Sequence, residues 1–150
     1  GFNLQDKNFK SKEELIHYLV NAAGYNSNFL LNVGPMPNGK IQQEFVSRLR
    51  SIGDWLDQFG ESIYGTRGGP VEPQDWGVTT QKGGRIFVHL LEPTGSSFLL
   101  PNLDNEVESI TLMHNGNEVD FEATGYGTVI EVPDDSRDMI DVVMEVKTNR

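Results

Sequence analysis

The sequence predicts an α+β chain in which a helix-strand-helix unit is followed by an antiparallel β-sandwich. Two observations lead to that prediction. Apolar residues recur at intervals of three and four between positions 41 and 59, which is the period of an amphipathic helix. After position 67 the chain instead contains short β-branched segments about ten residues apart, separated by turn-forming residues. We therefore expect the structure to change from helical to all-β near residue 68.

Residues 1–10 are predicted to be a loop, and the first helix should begin directly after them. Ser11, followed three positions later by Glu14, fits a capping box in which each side chain bonds the backbone N–H of the other residue. An apolar side follows, and Gly24 is predicted to end the helix. The acidic residues of its first turn are therefore expected to stabilise the helix and not to carry chemistry.

A strand and a second helix are predicted next. The apolar run FLLNV at residues 29–33 stops at Gly34 and Pro35, which is typical of a buried parallel strand. The second helix should run from about Ile41 and end at Gly60 in the left-handed conformation. This order is a βαβα series without its first strand, and 150 residues are far fewer than the roughly 250 of a complete barrel. The chain is therefore expected to start partway through a larger unit.

The net charge of −10 lies in the second half of the chain. Residues 1–67 carry seven basic and seven acidic residues, whereas residues 68–150 carry five basic and fifteen acidic ones. We predict a glycine- and proline-rich linker at residues 68–75 between a first domain (1–67) and a second domain (76–150). The acidic surface argues against nucleic acid and membranes as partners, and no apolar run approaches the length of a membrane span.

Six segments beyond the linker are predicted to be strands of the sandwich. The turn at His114, Asn115, Gly116 and Asn117 is the clearest hairpin signal among their connections. The predicted strands are residues 85–91, 97–100, 108–113, 118–121, 128–132 and 139–146.

The residue identities in the segment 28–67 carry more information than the spacing of its apolar residues. The segments LLNVGPMPNGKI, RLRSIGDWL and GESIYGTR closely resemble the end of the catalytic domain of family 29 glycoside hydrolases, the α-L-fucosidases. The resemblance extends back through Gly1, Phe2 and Asn3 and forward into the strand-rich tail. It implies that the first domain is the C-terminal remnant of a (β/α) TIM-like barrel and that a β-sandwich follows it.

The resemblance also implies an activity, the hydrolysis of terminal α-L-fucosides with retention through an Asp nucleophile and a Glu acid/base. That mechanism needs two carboxyl groups about 5–5.5 Å apart. In the family pattern both residues precede the segment that opens this chain. No catalytic residue is therefore assigned here, and the chain alone is expected to be inactive.

The resemblance implies the partners as well. The parent enzyme would bind a fucosylated glycan, and the family suggests a periplasmic, extracellular or lysosome-like compartment. A barrel remnant exposes strand edges and an apolar helix face. We therefore expect the chain to associate with the missing catalytic segment or with itself.

Three residues are candidates for the rim of the sugar pocket. Asn32 lies at the carboxyl end of the predicted strand, where (β/α) barrels place their active sites. An amide at that position is explained either by ligand contact or by hydrogen bonds to neighbouring strand ends. Phe2 and Asn3 match the aromatic residue and the Asn that follow the penultimate strand in the family, and should therefore lie near the pocket mouth.

No cofactor or metal site is predicted. Cysteine is absent, and His17, His89 and His114 lie on three separate predicted elements. The acidic residues at 134–138 lack the spacing of a calcium-binding loop and favour a turn.

A second class of function stays open for the sandwich, which could be a carbohydrate-binding module or a purely structural domain. Exposed rings in a coplanar row would favour sugar binding, whereas inward-facing rings would favour a structural role. The aromatic residues in question are Trp76, Phe87, Phe98, Phe121 and Tyr126.

Overall fold

The computed structural model describes residues 2–149 and has three layers, namely a pair of helices, a five-stranded sheet and a three-stranded sheet. This arrangement confirms the predicted α+β class. In the described part of the chain, neither helix has the length and apolarity that crossing a membrane requires. The elements are α1 (Lys12–Gly24), α2 (Gln43–Phe59), β1 (Arg67–Gly68), β2 (Gly77–Lys82), β3 (Arg85–Leu90), β4 (Ser97–Pro101), β5 (Val107–Leu112), β6 (Phe121–Thr124), β7 (Gly127–Glu131) and β8 (Val142–Thr148), with 3-10 turns at Gly60–Ser62 and Asp134–Ser136.

The two sheets are antiparallel, as predicted for a sandwich. The larger sheet has the order β1-β2-β3-β8-β5 and the smaller one the order β4-β7-β6. The strand predicted at residues 118–121 is misplaced, because Glu118 makes only an isolated bridge with Thr111 and β6 starts at Phe121. The chain crosses from one sheet to the other within this segment. β2 is not among the predicted strands, since its polar Thr79 and Thr80 conceal its burial.

Two apolar clusters fill the spaces between the layers. One lies between the sheets, where Leu100 and Ile130 of the smaller sheet belong to the same buried cluster as Val88 and Met144 of the larger one. The other lies between the larger sheet and the helices. Its buried members are Leu15, Ile16, Val20, Ile52, Trp55, Phe59, Val78, Phe87, Leu91 and Val143. The larger sheet is therefore covered on both faces.

The predicted capping box of α1 is confirmed. The Glu14 N–H donates to Ser11 Oγ at 3.1 Å, and the Ser11 N–H donates to Glu14 Oε2 at 2.9 Å. The hydrogen bond from the Ser11 N–H lowers the pKa of the Glu14 carboxyl.

The predicted left-handed cap at Gly60 is wrong. Gly60 has a φ of −57° and continues α2 into the 3-10 turn. A Cβ at this position would lie 2.6 Å from the Tyr64 ring, so close packing explains the glycine here.

Residues 29–33 do not form the predicted strand. They carry no strand pairing within residues 2–149, and none of their backbone groups hydrogen-bonds to another described residue. A strand forms its ladder only with a neighbour, and the described part of the chain places none beside this segment. The structure therefore corrects the prediction to an unpaired segment between two helices.

The predicted linker at residues 68–75 runs along the larger sheet. Gly68 pairs with Thr80, the Gly69 N–H donates to the Thr79 carbonyl at 2.8 Å, and Val71 is buried. The division of the chain at this linker stays a prediction.

Candidate functional site

The candidate site is the surface formed by residues 29–33. Phe29 and Leu31 are half-buried against the helical cluster, whereas Leu30 and Asn32 are exposed. The exposed fraction of Leu30 reaches 90%. Successive side chains of an extended segment point to opposite faces. The helices therefore cover one face of this segment, and the opposite face, which carries Leu30 and Asn32, is uncovered.

A cavity of about 460 Å³ lies beside this segment, next to the two helices. Its wall is mainly apolar and includes two cationic residues, Lys10 and Arg48. No Asp or Glu is among the described residues that line it. The cavity thus offers apolar contacts and hydrogen-bond donors but no carboxyl group for acid–base chemistry.

Contacts between the N-terminal loop and the helices shape this cavity. The rings of Phe9 and Phe45 meet edge to face with centroids 5.3 Å apart. Arg48 Nε donates to the Lys10 carbonyl at 3.1 Å. The Lys10 ammonium lies 5.5 Å from the ring centroid of Tyr18, within cation–π range. Lys10 is therefore held in place by Tyr18 of α1 and Arg48 of α2.

Of the three predicted rim residues, the structure brings Asn32 to the cavity wall, whereas Phe2 and Asn3 are outside it. Phe2 is half-buried and Asn3 is exposed. Asn3 Oδ1 accepts from the Gln5 N–H at 3.0 Å, and the Asn3 carbonyl accepts from the Asp6 N–H at 3.2 Å. The Asn3 side chain is therefore engaged in a local turn. The assignment of all three residues to a pocket rim stays a prediction.

A buried polar cluster lies between the larger sheet and the helices, and the sequence gives no signal for it. His89 is fully buried, with Nδ1 at 2.6 Å from Asp141 Oδ2 and Nε2 at 3.0 Å from Thr80 Oγ1. The Thr80 hydroxyl donates to the Ser62 carbonyl at 2.7 Å. His89 and Asp141 are 52 positions apart, so no local spacing could reveal the contact.

The other two histidines lie on other elements, His17 in α1 and His114 in the turn after β5. His17 Nε2 lies 2.6 Å from the carbonyl oxygen of Ile140. Within residues 2–149, no group of three or more His, Asp or Glu side chains is arranged to hold a metal ion.

Arg85, the first residue of β3, is the centre of an ion-pair network. Arg85 donates through Nε and Nη2 to the two carboxylate oxygens of Glu145, at 2.8 and 3.1 Å, and through Nη1 to Glu61 at 2.8 Å. The hydrogen bonds from Arg85 hold the pKa of Glu145 below its usual range. Those to Glu145 and then Glu61 raise the pKa of Arg85. The network connects β3, β8 and the turn after α2.

The aromatic residues of the sandwich do not form an exposed row. Phe87 is fully buried, and the Trp76 and Phe98 rings pack against each other with centroids 4.9 Å apart. Trp76 Nε1 donates to the Leu99 carbonyl at 3.0 Å. Of the five aromatic residues considered, Tyr126 alone is exposed, at 84%. This arrangement does not favour a separate carbohydrate-binding role.

Comparison with known proteins gives consistent similarities. The family described as Alpha-L-fucosidase matches residues 1–61. An α-L-fucosidase of Dictyostelium discoideum is 30% identical over 140 residues, which are 86% of this chain and 30% of that protein.

Solved α-L-fucosidase structures share the fold, and two of them illustrate the similarity. α-L-Fucosidase isoenzyme 1 from Paenibacillus thiaminolyticus has a TM-score of 0.90 at 27% identity, covering 100% of this chain and 37% of that one. The α-fucosidase of Thermotoga maritima in complex with fucose has a TM-score of 0.83 at 31% identity, covering 97% and 37%. The chain thus spans about a third of the length of each of these proteins.

Proposed function

The chain belongs to the α-L-fucosidases of glycoside hydrolase family 29, of which it is a C-terminal part, and on that premise we propose that it completes the catalytic barrel of such an enzyme. The complete protein hydrolyses terminal α-L-fucosides of glycans with retention of configuration. The segment at residues 29–33 is the last barrel strand, α2 is the last barrel helix, and the sandwich supports the barrel. The chain by itself has no activity.

The single observation that carries this proposal is the unpaired segment at residues 29–33. Backbone N–H and C=O groups that become buried need hydrogen-bond partners. The segment exposes Leu30, and its backbone makes no hydrogen bonds to other residues of the described chain. A neighbouring strand on each side would supply those partners. A (β/α) barrel provides two such strands, and its helices cover the outer face.

Catalysis in this proposal depends on two carboxyl groups contributed by the rest of the barrel. The Asp attacks the anomeric carbon and forms a glycosyl-enzyme, while the Glu protonates the leaving oxygen and then activates the water. The contribution of this chain is the amide of Asn32 at the pocket rim, with Phe2 and Asn3 near the mouth.

The catalytic part of the same protein is the partner that this surface requires. Without it the chain exposes Leu30 together with the apolar cavity wall. Exposed apolar surface of this kind promotes association. Alone, the chain therefore associates with copies of itself.

The test compares the 150-residue chain with the longer natural polypeptide that contains it, using a chromogenic α-L-fucoside. The intact mass of the protein purified from its source identifies that polypeptide. We expect turnover by the longer protein and none by the chain. Turnover by the chain alone, or a natural polypeptide that consists of these residues only, would contradict the proposal.

A further inference from the structure

The hydrogen bonds around His89 determine where its protons lie. A threonine hydroxyl has one hydrogen to donate. That of Thr80 is directed to the Ser62 carbonyl at 2.7 Å, since a carbonyl oxygen can only accept. The contact of 3.0 Å between Thr80 Oγ1 and His89 Nε2 must then be donated by the ring. Nε2 therefore carries a hydrogen.

The second ring nitrogen needs a hydrogen too. Nδ1 lies 2.6 Å from Asp141 Oδ2, and both residues are essentially completely buried. Without a proton between them, two lone pairs would face each other at that distance. Charge-assisted N–H···O hydrogen bonds are shorter than neutral ones, and the short contact of 2.6 Å therefore assigns the shared proton to the ring.

We propose that His89 and Asp141 form a buried imidazolium–carboxylate ion pair that connects the helical layer to the sandwich. The pair and its hydrogen bonds link four parts of the chain: the 3-10 turn after α2 through Ser62, β2 through Thr80, β3 through His89, and the segment before β8 through Asp141. The inference is independent of the proposed function, because it rests on contacts inside this chain.

The other charged groups on the surrounding elements do not replace Asp141. Glu145 and Glu61 are bound to Arg85. His17 of α1 is directed to the Ile140 carbonyl. The remaining charged side chains of α1, α2, β2 and β8 are exposed, partly exposed or bound to carbonyls, and are Lys12, Glu13, Glu14, Glu44, Arg48, Arg50, Asp54, Asp57, Lys82 and Lys147.

Asp141 is the residue of this pair whose hydrogen bonding is incomplete. Its second oxygen, Oδ1, is buried and has no hydrogen-bond partner among the described residues. A buried carboxylate with one unsatisfied oxygen depends on its cation for stabilisation. Removing the ring charge should therefore destabilise the junction more than removing a surface ion pair would.

Nitrogen-15 NMR of the folded 150-residue chain tests the pair directly and requires no variant. At neutral pH an unperturbed histidine is mostly neutral and shows one protonated and one unprotonated ring nitrogen. We expect both ring nitrogens of His89 to have the protonated type of resonance, with the Nδ1 proton shifted strongly downfield. An unprotonated type of resonance at either nitrogen would overturn the proposal.

Two matched pairs of variants separate the effect of the charge from that of the packing. Asp141→Asn removes the carboxylate and should convert His89 to a neutral ring, whereas the exposed Asp138→Asn should leave the ring spectrum unchanged. Thr80→Ser keeps the hydroxyl and should preserve the urea midpoint better than the isosteric Thr80→Val. A doubly protonated ring in Asp141→Asn would contradict the assignment. If that variant does not fold, the spectrum of the unmodified chain decides.

Discussion

The guanidinium of Arg85 donates to both carboxylate oxygens of Glu145, at 2.8 and 3.1 Å, and so connects β3 to β8. A paired geometry of this kind is stronger than a single contact between mobile surface charges. Its two partners differ in exposure, since the Glu145 side chain is 20% exposed and that of Arg85 is 41% exposed. The pair should therefore contribute modestly and measurably to stability.

Replacing Glu145 by Gln should lower the free energy of unfolding at pH 7 by about 1 kcal/mol. Because folding lowers the pKa of Glu145, its contribution is present above the unfolded value of about 4.3 and is lost as the pH falls through the folded value. Urea unfolding at a series of pH values should show the two proteins converging in acid. The control is Glu61→Gln, whose 63% exposed carboxylate should matter less. A larger loss for the control would refute this ranking.

Gly127 should be intolerant of substitution because of its backbone conformation. Its φ is 147°, and an added Cβ would lie 2.2 Å from the Leu100 carbonyl oxygen. Gly127→Ala should therefore reduce stability by about 1–3 kcal/mol. Gly125→Ala, in open space two residues away, should change it by less than about 0.5 kcal/mol. Similar urea midpoints for the two variants would show that the β6–β7 turn is not constrained as described.

Leu30→Ser should have different effects in the two forms of the protein. In the 150-residue chain Leu30 is 90% exposed, so the variant should retain its stability within about 0.5 kcal/mol and associate less. In the longer polypeptide the same change should cost about 1.5–3 kcal/mol, since the proposed barrel would bury this side chain. Thermal unfolding measures both. Leu31→Ser, on the half-buried face, should destabilise either form, and equal effects of Leu30→Ser in the two forms would count against the barrel.

Asn32→Ala should reduce the activity of the longer polypeptide. Loss of one neutral hydrogen bond to the sugar corresponds to roughly a tenfold fall in kcat/KM. The stability of the 150-residue chain should not change, because Asn32 is exposed there. Asn28→Ala, immediately before the segment, is the control and should leave kcat/KM unaltered. If Asn32→Ala lowered the stability of the longer polypeptide without lowering its kcat/KM, Asn32 would be assigned to the barrel core.

Local patterns predicted much of this fold. The period of the apolar residues located α2, the pair Ser11 and Glu14 located the start of α1, and the residues around Asn115 located the turn after β5. Each of these signals arises from neighbours within a few positions. Interactions between residues that are this close along the chain can be recognised from the residue types and their spacing alone.

Features that depend on distant contacts could not be predicted in the same way. The close approach of the Tyr64 ring explains the glycine at position 60, and the contact between His89 and Asp141 joins residues that are 52 positions apart. The cavity beside residues 29–33 similarly depends on how the N-terminal loop packs against α2. Asn32 became a candidate through its position at the end of a predicted strand, whereas Phe2 and Asn3 became candidates through the family resemblance, and the assignment of all three to a pocket rim stays a prediction.

Hydrogen exchange of the backbone amides at residues 30–33 tests the central claim most directly, namely that this segment is a barrel strand without its neighbours. These amides have no hydrogen-bond acceptor in the described chain, so they should exchange rapidly in the 150-residue protein. In the longer polypeptide they should be protected to the same degree as those of β3. Protection in the short chain, or continued rapid exchange in the long one, would contradict the account.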